Sequence, residues 1–448
     1  MVQNGPCVLF LVGSYSLAGI FLASALQPGD AAEWPQFRGP TAQGHVASAN
    51  LPLEWSESKN VIWRTPLPGI GHSSPVIEGG MIWLTTATDI PSTAEEIERR
   101  TRTNTGSEPL TVSDSATMRV LGVDLHTGRV RHDIQLLHIQ KPQWVHVENS
   151  YATPTPVIEA GKLYCHFGTY GTVCLDTRTQ KILWINQDHE VMHENGPASS
   201  PLIWNELLIF HCDGSDRQFI LALNKHTGKI VWKTNRTGAM HPNPQLKKAY
   251  GTPLIVEIGG REVIVSPAAN WLYGYDPETG EELWKVPYEV LGFSIVPRPV
   301  ADAKTLYVCT SYVHSELLAF RTDTPNGVPK IKWRYRKQVP QKSSPILAGG
   351  RLYFVSDGGG VLSCLDTERG EPVWRKRISG KYSASPLAAP GRVYFFSDTG
   401  ETTVIATGDE FKELANNHLS GNILASPAVA GDSLIIRTDE AVYKIGEK

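Results

Sequence analysis

The sequence predicts an all-β fold, an eight-bladed β-propeller of four-stranded antiparallel blades, and three observations carry that reading. First, the 448 residues are 41% hydrophobic and only 19% charged, with 40 Gly and 31 Pro. This is too apolar for disorder and too punctuated for long helices. Second, a unit recurs from about residue 70 to the C-terminus: a Ser/Thr-Pro start, an apolar strand, a Gly turn, a strand rich in Tyr, Phe and Val, a third strand ending near Asp, then Thr-Gly and a Trp strand. A period near 45 to 50 residues is that of propeller blades. Third, the last unit stops at Lys448 without its Trp strand, while an orphan Trp strand, VIWRT (Val61 to Thr65), precedes the first. The strand of Trp63 is therefore expected to complete the last blade and close the ring, removing the free edges of an open sheet.

From the N-terminus, residues Val8 to Leu26 carry no charge and Ala23-Ser24-Ala25 offers a small-x-small cleavage site. Residues 1–25 read as a secretory signal peptide. The n-region MVQNGPC lacks Lys and Arg and the apolar stretch is long, so an uncleaved membrane anchor is the alternative. Both place the body outside the cytoplasm, in the periplasm or beyond the cell, with any membrane attachment through that segment alone. Residues 26–60 form an N-terminal extension, and residues 61–448 divide into eight blades of about 48 residues. The units begin near Ser73, Thr153, Ser199, Gly251, Val296, Ser343, Ser383 and Ala425. A polar insertion at about 90–116 interrupts the first and reads as an excursion on the propeller rim, with AEEIERR as a short helix candidate.

Within each unit the Pro suits the first residue of a strand, where no ladder donor is lost, and the Gly pairs supply positive φ in hairpin turns. Trp63, Trp184, Trp232, Trp284, Trp333 and Trp374 read as structural docking residues that fill the wedge between blades. His132 and Lys412 stand where Trp is expected after Gly128 and Gly408, so those blades should pack less regularly.

ALNKHTGKIVW (Ala222 to Trp232) and YGYDPETGEELW (Tyr273 to Trp284) resemble the Trp-docking signature A-x-D-x-x-T-G-x-x-x-W of pyrroloquinoline-quinone (PQQ) repeats. The resemblance covers nearly the whole body. EWPQFRGPTAQG (Glu33 to Gly44), ENSYATPTPV and HFGTYGTVCLD are similar to a secreted, planctomycete-type branch of PQQ-like repeat proteins. The family implies an eight-bladed propeller and two kinds of function: quinoprotein dehydrogenases, and non-enzymatic outer-membrane-protein assembly lipoproteins similar to BamB. For the dehydrogenases it implies PQQ held against a Trp platform and a vicinal disulfide, with Ca²⁺ on carboxylate and amide oxygens. This sequence has no adjacent Cys pair and no haem-attachment motif, so the resemblance leans toward a non-catalytic binding or assembly scaffold with no cofactor expected.

A formal charge of −3, without long single-sign runs, excludes an electrostatic footprint for nucleic acid or anionic lipid. The richest polar cluster falls in the loops that lead into blades two to four, on the face where propeller loops converge on the channel. Trp144, His146, Glu148, Asn149 and Tyr151 precede the second blade; His189, His193, Glu194 and Asn195 precede the third; His241 and Tyr250 precede the fourth. His166 and Tyr170, with Asp213, Asp216 and Arg217, lie between second and third strands. Three readings stand. A transition metal could use His146, His193 and Glu148, although no ligand pair has a diagnostic spacing. A polar or carbohydrate ligand could stack on Trp144, Tyr151 and Tyr170 and bond Asn149 and Asp213. Otherwise these groups satisfy strand ends and channel water. The partner is thus a protein or a polar or carbohydrate ligand on the propeller face. Cys165 and Cys174, on adjacent expected strands, could be bonded to each other or be buried free thiols.

Overall fold

Each Ser/Thr-Pro start opens a four-stranded antiparallel sheet in the computed structural model, which describes Met1 and residues 33–447 apart from 47–49, 103, 105, 107 and 313. The chain divides into two compact units, Met1–Asp30 and Ala31–Lys448. Of the first only Met1 is described, so the signal segment expected over 1–25 otherwise lies outside the described residues. Among the described residues no helix is long and apolar enough to cross a membrane.

The second unit holds eight four-stranded sheets. Their innermost strands are Val76–Glu78, Val157–Glu159, Leu202–Trp204, Leu254–Ile258, Val300–Ala301, Ile346–Ala348, Leu387–Ala389 and Ala428–Ala430, here numbered as blades 1 to 8. The ring closes as expected: Val61–Pro66 pairs antiparallel with Ala441–Ile445, with Trp63 opposite Lys444.

The repeat signature is a docking device between blades. Trp63, Trp184, Trp232, Trp333 and Trp374 each donate the indole N–H to a backbone carbonyl of the next blade: Leu125, Lys225, Pro277, Thr367 and Gly408. At four of these five junctions the Gly of the Thr-Gly turn lies against the indole, Gly408 being the exception. At Gly280, with φ 72°, a Cβ would come within 2.4 Å of Trp232, and only a residue without one fits there. The Asp or Asn three residues before the Thr fixes the turn, as where Asp276 accepts from Glu278 N, Thr279 N and the Thr279 hydroxyl.

Inside blades 2, 5 and 6 the same Trp faces a small residue on the third strand and an aromatic on the second. Tyr164, Cys174 and Trp184 align in this way, as do Tyr353, Cys364 and Trp374. This slot explains two of the cysteines as small buried residues. Cys165 and Cys174 are both free and buried. Their register partners are Val173 and Tyr164, so as neighbours along the ladder they point to opposite faces of the sheet and do not meet.

Two deviations follow the same logic. In blade 1 His132 stacks on Trp83 at 5.4 Å with planes 7° apart, across Gly122. The large ring has moved to the second strand, and the packing stays regular. In blade 7 the register opposite Val404 is taken by Ala415, not by Lys412, which precedes the outer strand Glu413–His418. The vacated volume belongs to the N-terminal extension, whose Trp55 stacks on Tyr394 at 6.3 Å.

Residues 34–46 thread the channel. Trp34 bridges Ile77 in blade 1, and Pro35 accepts from Ile158 N in blade 2. Gln43 accepts from Ala301 N in blade 5, while His45 bonds Leu347 O and bridges Ala388 in blades 6 and 7. The extension therefore plugs the propeller from inside.

Candidate functional site

Above the plug a cavity of about 1430 Å³ opens, lined by the loops that lead into all eight blades and by Phe37 of the plug. Its walls begin with a belt of Ser/Thr-Pro hydroxyls. The N–H of Ser74 donates to Thr155 Oγ1, that of Thr155 to Ser200 Oγ, and that of Ser200 to Thr252 Oγ1. After a break, Arg298 N donates to Ser344 Oγ, Ser344 N to Ser385 Oγ and Ser385 N to Ser426 Oγ. The residue after each is Pro and offers no N–H, so the hydroxyl of one blade satisfies the last free donor of its neighbour. At the break Arg298 replaces the hydroxyl and sends its guanidinium to Pro253 O and to Phe37 O of the plug.

Of the residues expected at the site, His146, Glu148, Asn149, Tyr151, Asn195 and Tyr250 line this cavity. Glu148 meets Lys342 at 2.7 Å. These two belong to the loops into blades 2 and 6, four blades apart in a ring of eight, so the ion pair spans the mouth. Lys342 holds the Glu148 carboxyl below its ordinary range. Tyr250 donates to His193 O, and Asn149 and His146 bond Asn195 O.

The others lie elsewhere. Trp144 and Tyr170 are buried away from the cavity, and Tyr170 packs edge-on against Tyr151 while donating to Gln143 O. Asp213 forms a fully buried bidentate pair with Arg236, which also bonds Tyr275 and Ser266, so it is committed to blade 3. Asp216 accepts from Met192 N and sits near Arg217 at the surface. His241 accepts from Asn243 N, and Glu194, at φ 66°, accepts from Ser215 Oγ. His146, His193 and Glu148 do not form a ligand set: His193 Nε2 accepts from Thr169 N, and Glu148 is paired. His166 lies buried between blades 2 and 3, its ring 4.0 Å from Phe210.

Several lining groups escaped the sequence reading. Phe293 and Tyr312 present half-buried rings 6.4 Å apart. His72, Lys342, Lys381, Asp398 and Asp439 come from blades with no polar cluster in sequence, and Lys248 lies in the cluster before blade 4. Burial lowers Lys248, whose ammonium bonds Gln245 Oε1, and raises Asp398, whose Oδ2 accepts from Ser383. The insertion is also here, not on the rim. The long strands Met81–Pro91 and Ser113–Asp124 carry it over the mouth, where Glu108 and Thr111 line the cavity and Leu110–Thr111 pairs with Val145–His146.

The sequence profile described as outer membrane protein assembly factor BamB, of the PQQ-repeat type, matches residues 37–234, 207–326 and 268–438. The chain belongs to this family. Among other PQQ-repeat proteins it is similar to quinoprotein ethanol dehydrogenases of Pseudomonas aeruginosa, 27% identical over 146 residues, and of Pseudomonas putida, 30% over 147. Each match covers 30% of this chain and only 22% of the relative's length. BamB from Moraxella catarrhalis superposes with a TM-score of 0.56 at 14% identity, covering 87% of this chain and 97% of that one. A europium-containing methanol dehydrogenase superposes at 0.59 and 12%, covering 90% and 89%. These two likenesses establish a shared PQQ-repeat propeller fold.

The cavity residues do not fit the quinone arrangement that PQQ-repeat dehydrogenases imply. Among the described lining residues there is no Trp to form a platform, and no two cysteines adjoin in the sequence. Two of the carboxylates are already engaged, Glu148 by Lys342 and Asp439 by Asn422.

Proposed function

We propose that this chain is an exported, non-catalytic propeller that binds a polar, hydroxyl-rich ligand of the carbohydrate class in its channel cavity. The observation that carries the reading is the make-up of the cavity. It is closed below by the plug at Phe37, walled by hydroxyls and amides, and flanked by the rings of Phe293 and Tyr312. Aromatic faces beside hydrogen-bonding groups suit the apolar and hydroxyl faces of a sugar. Export rests on the uncharged N-terminal stretch and its small-x-small site. BamB, which gives the family its description, is named as an assembly factor, and a protein ligand for this chain is the second reading.

The test is isothermal calorimetry of the full chain against a panel of neutral and acidic oligosaccharides, repeated with Tyr312→Ala. Saturable binding that weakens about tenfold in the variant supports the proposal, a loss of about 1.4 kcal/mol. Silence across the panel, with capture of an outer-membrane protein instead, would replace it with the assembly reading.

A further inference from the structure

Between blades 2 and 3, away from the cavity, His166, His189 and Cys212 bring one ligand atom each to within 4.8 Å of one another, and all three side chains are buried. In a tetrahedral site with Zn–N near 2.0 Å and Zn–S near 2.3 Å, ligand atoms stand about 3.3–3.6 Å apart, so a small contraction would close the set. His166 comes from the second strand of blade 2, Cys212 from the second strand of blade 3, and His189 from the loop that joins the two blades. That loop exposes Gln187, Asp188 and Glu190, so the cluster lies one layer from solvent.

A second observation points to a cation. His189 faces an acceptor at both ring nitrogens: Asn186 Oδ1 at 3.1 Å from Nδ1 and Gly168 O at 3.0 Å from Nε2. The Asn186 amide cannot be turned to help, because its Nδ2 already donates to Gly228 O and Asp188 Oδ2 and its Oδ1 accepts from Asp188 N. A neutral imidazole has one N–H, so one lone pair is left against an oxygen. Either a second proton or a metal ion resolves the conflict.

We infer that His166, His189 and Cys212 form a buried site for a thiophilic late transition metal such as zinc, which would staple blade 2 to blade 3. Each imidazole already has a partner outside the cluster, His166 Nδ1 at Thr172 Oγ1 and His189 at Asn186 Oδ1 or Gly168 O. Such outer bonds orient imidazole ligands. Two imidazoles and a thiolate select zinc or copper over calcium or magnesium. Binding displaces the Cys212 thiol proton to solvent, and the thiolate sulfur becomes the third ligand.

The experiment titrates Co²⁺, then Zn²⁺, into the full chain after chelator treatment and reduction. The expected result is one ion per chain, a thiolate-to-cobalt charge-transfer band that zinc abolishes, and loss of that band in Cys212→Ser but not in Cys174→Ser. No saturable band in the wild-type chain, or a band that survives Cys212→Ser, overturns the inference. Should Cys212→Ser fail to fold, X-ray absorption of the wild-type cobalt form decides. One sulfur and two imidazoles support the site, and a shell of oxygen and nitrogen alone overturns it.

Discussion

Gly280 holds φ at 72° with the Trp232 indole where a Cβ would stand, whereas Gly350 holds φ at 74° with nothing nearby. The pair separates two costs of losing a glycine. Gly350→Ala should cost about 1–2 kcal/mol from the left-handed backbone alone. Gly280→Ala should cost about 1–3 kcal/mol more, because the indole must shift. Equal midpoints in urea unfolding would show that the docking contact is loose. His72, at the cavity rim, is lowered to about 4 by burial and by Arg437, with Lys342 adding to the effect and Asp439 opposing it. An imidazole lowered in the folded state takes its proton first in the unfolded chain. Its stabilising effect is intact above about pH 6.5 and is lost as pH falls toward 4, at up to about 1.4 kcal/mol per pH unit. His72→Gln should flatten that acid limb by about one proton, and an unchanged slope would place His72 outside the transition. Residue types in the loops were legible in the sequence, but their direction was not. Trp144 sits two residues from His146 yet is buried outside the cavity, and Tyr170 packs into the interface of blades 1 and 2 while Tyr151 reaches the cavity.

At the scale of elements, loss of the Trp is matched by loss of the receiving Gly at one junction, while at another the lost turn leaves its Trp unsatisfied. Blade 1 carries His132 in place of Trp, and the turn of blade 2 that would dock it carries Gln180 at φ 60° in place of Gly. Blade 5 lacks a Thr-Gly turn, and the Trp284 indole N–H that would have bonded it is left buried without a partner. Restoring Trp by His132→Trp alone should destabilise by about 1–3 kcal/mol, since two indoles cannot share the slot beside Gly122. Adding Trp83→Tyr and Gln180→Gly should recover most of that loss, as read by denaturant unfolding. A triple variant no more stable than His132→Trp would refute the docking account. Strand boundaries and blade starts were legible because the repeat prints them eight times. The plug was not, since residues 34–46 occur once and follow no period; its aromatic and glycine content, EWPQFRGP, was the available signal.

For the whole molecule, ring closure was written in the sequence as a missing strand at one end and a spare one at the other, and Trp63 opposite Lys444 completes it. The cavity was legible only in part. Blades 2 to 4 advertise their polar loops as clusters, whereas blades 5 to 8 contribute single residues such as Lys342, Lys381 and Asp439 that only the ring brings together. The Glu148–Lys342 pair, joining loops 194 residues apart, belongs to this scale and to no local motif. The same fold in a structure named as a methanol dehydrogenase shows that the propeller alone does not decide between binding and chemistry. The deciding measurement is calorimetric titration of the full chain with PQQ in the presence of Ca²⁺, followed by dye reduction with ethanol. A cavity without a Trp platform should give no saturable heat and no turnover. Stoichiometric binding with alcohol-dependent dye reduction would contradict the account and make the cavity an active site.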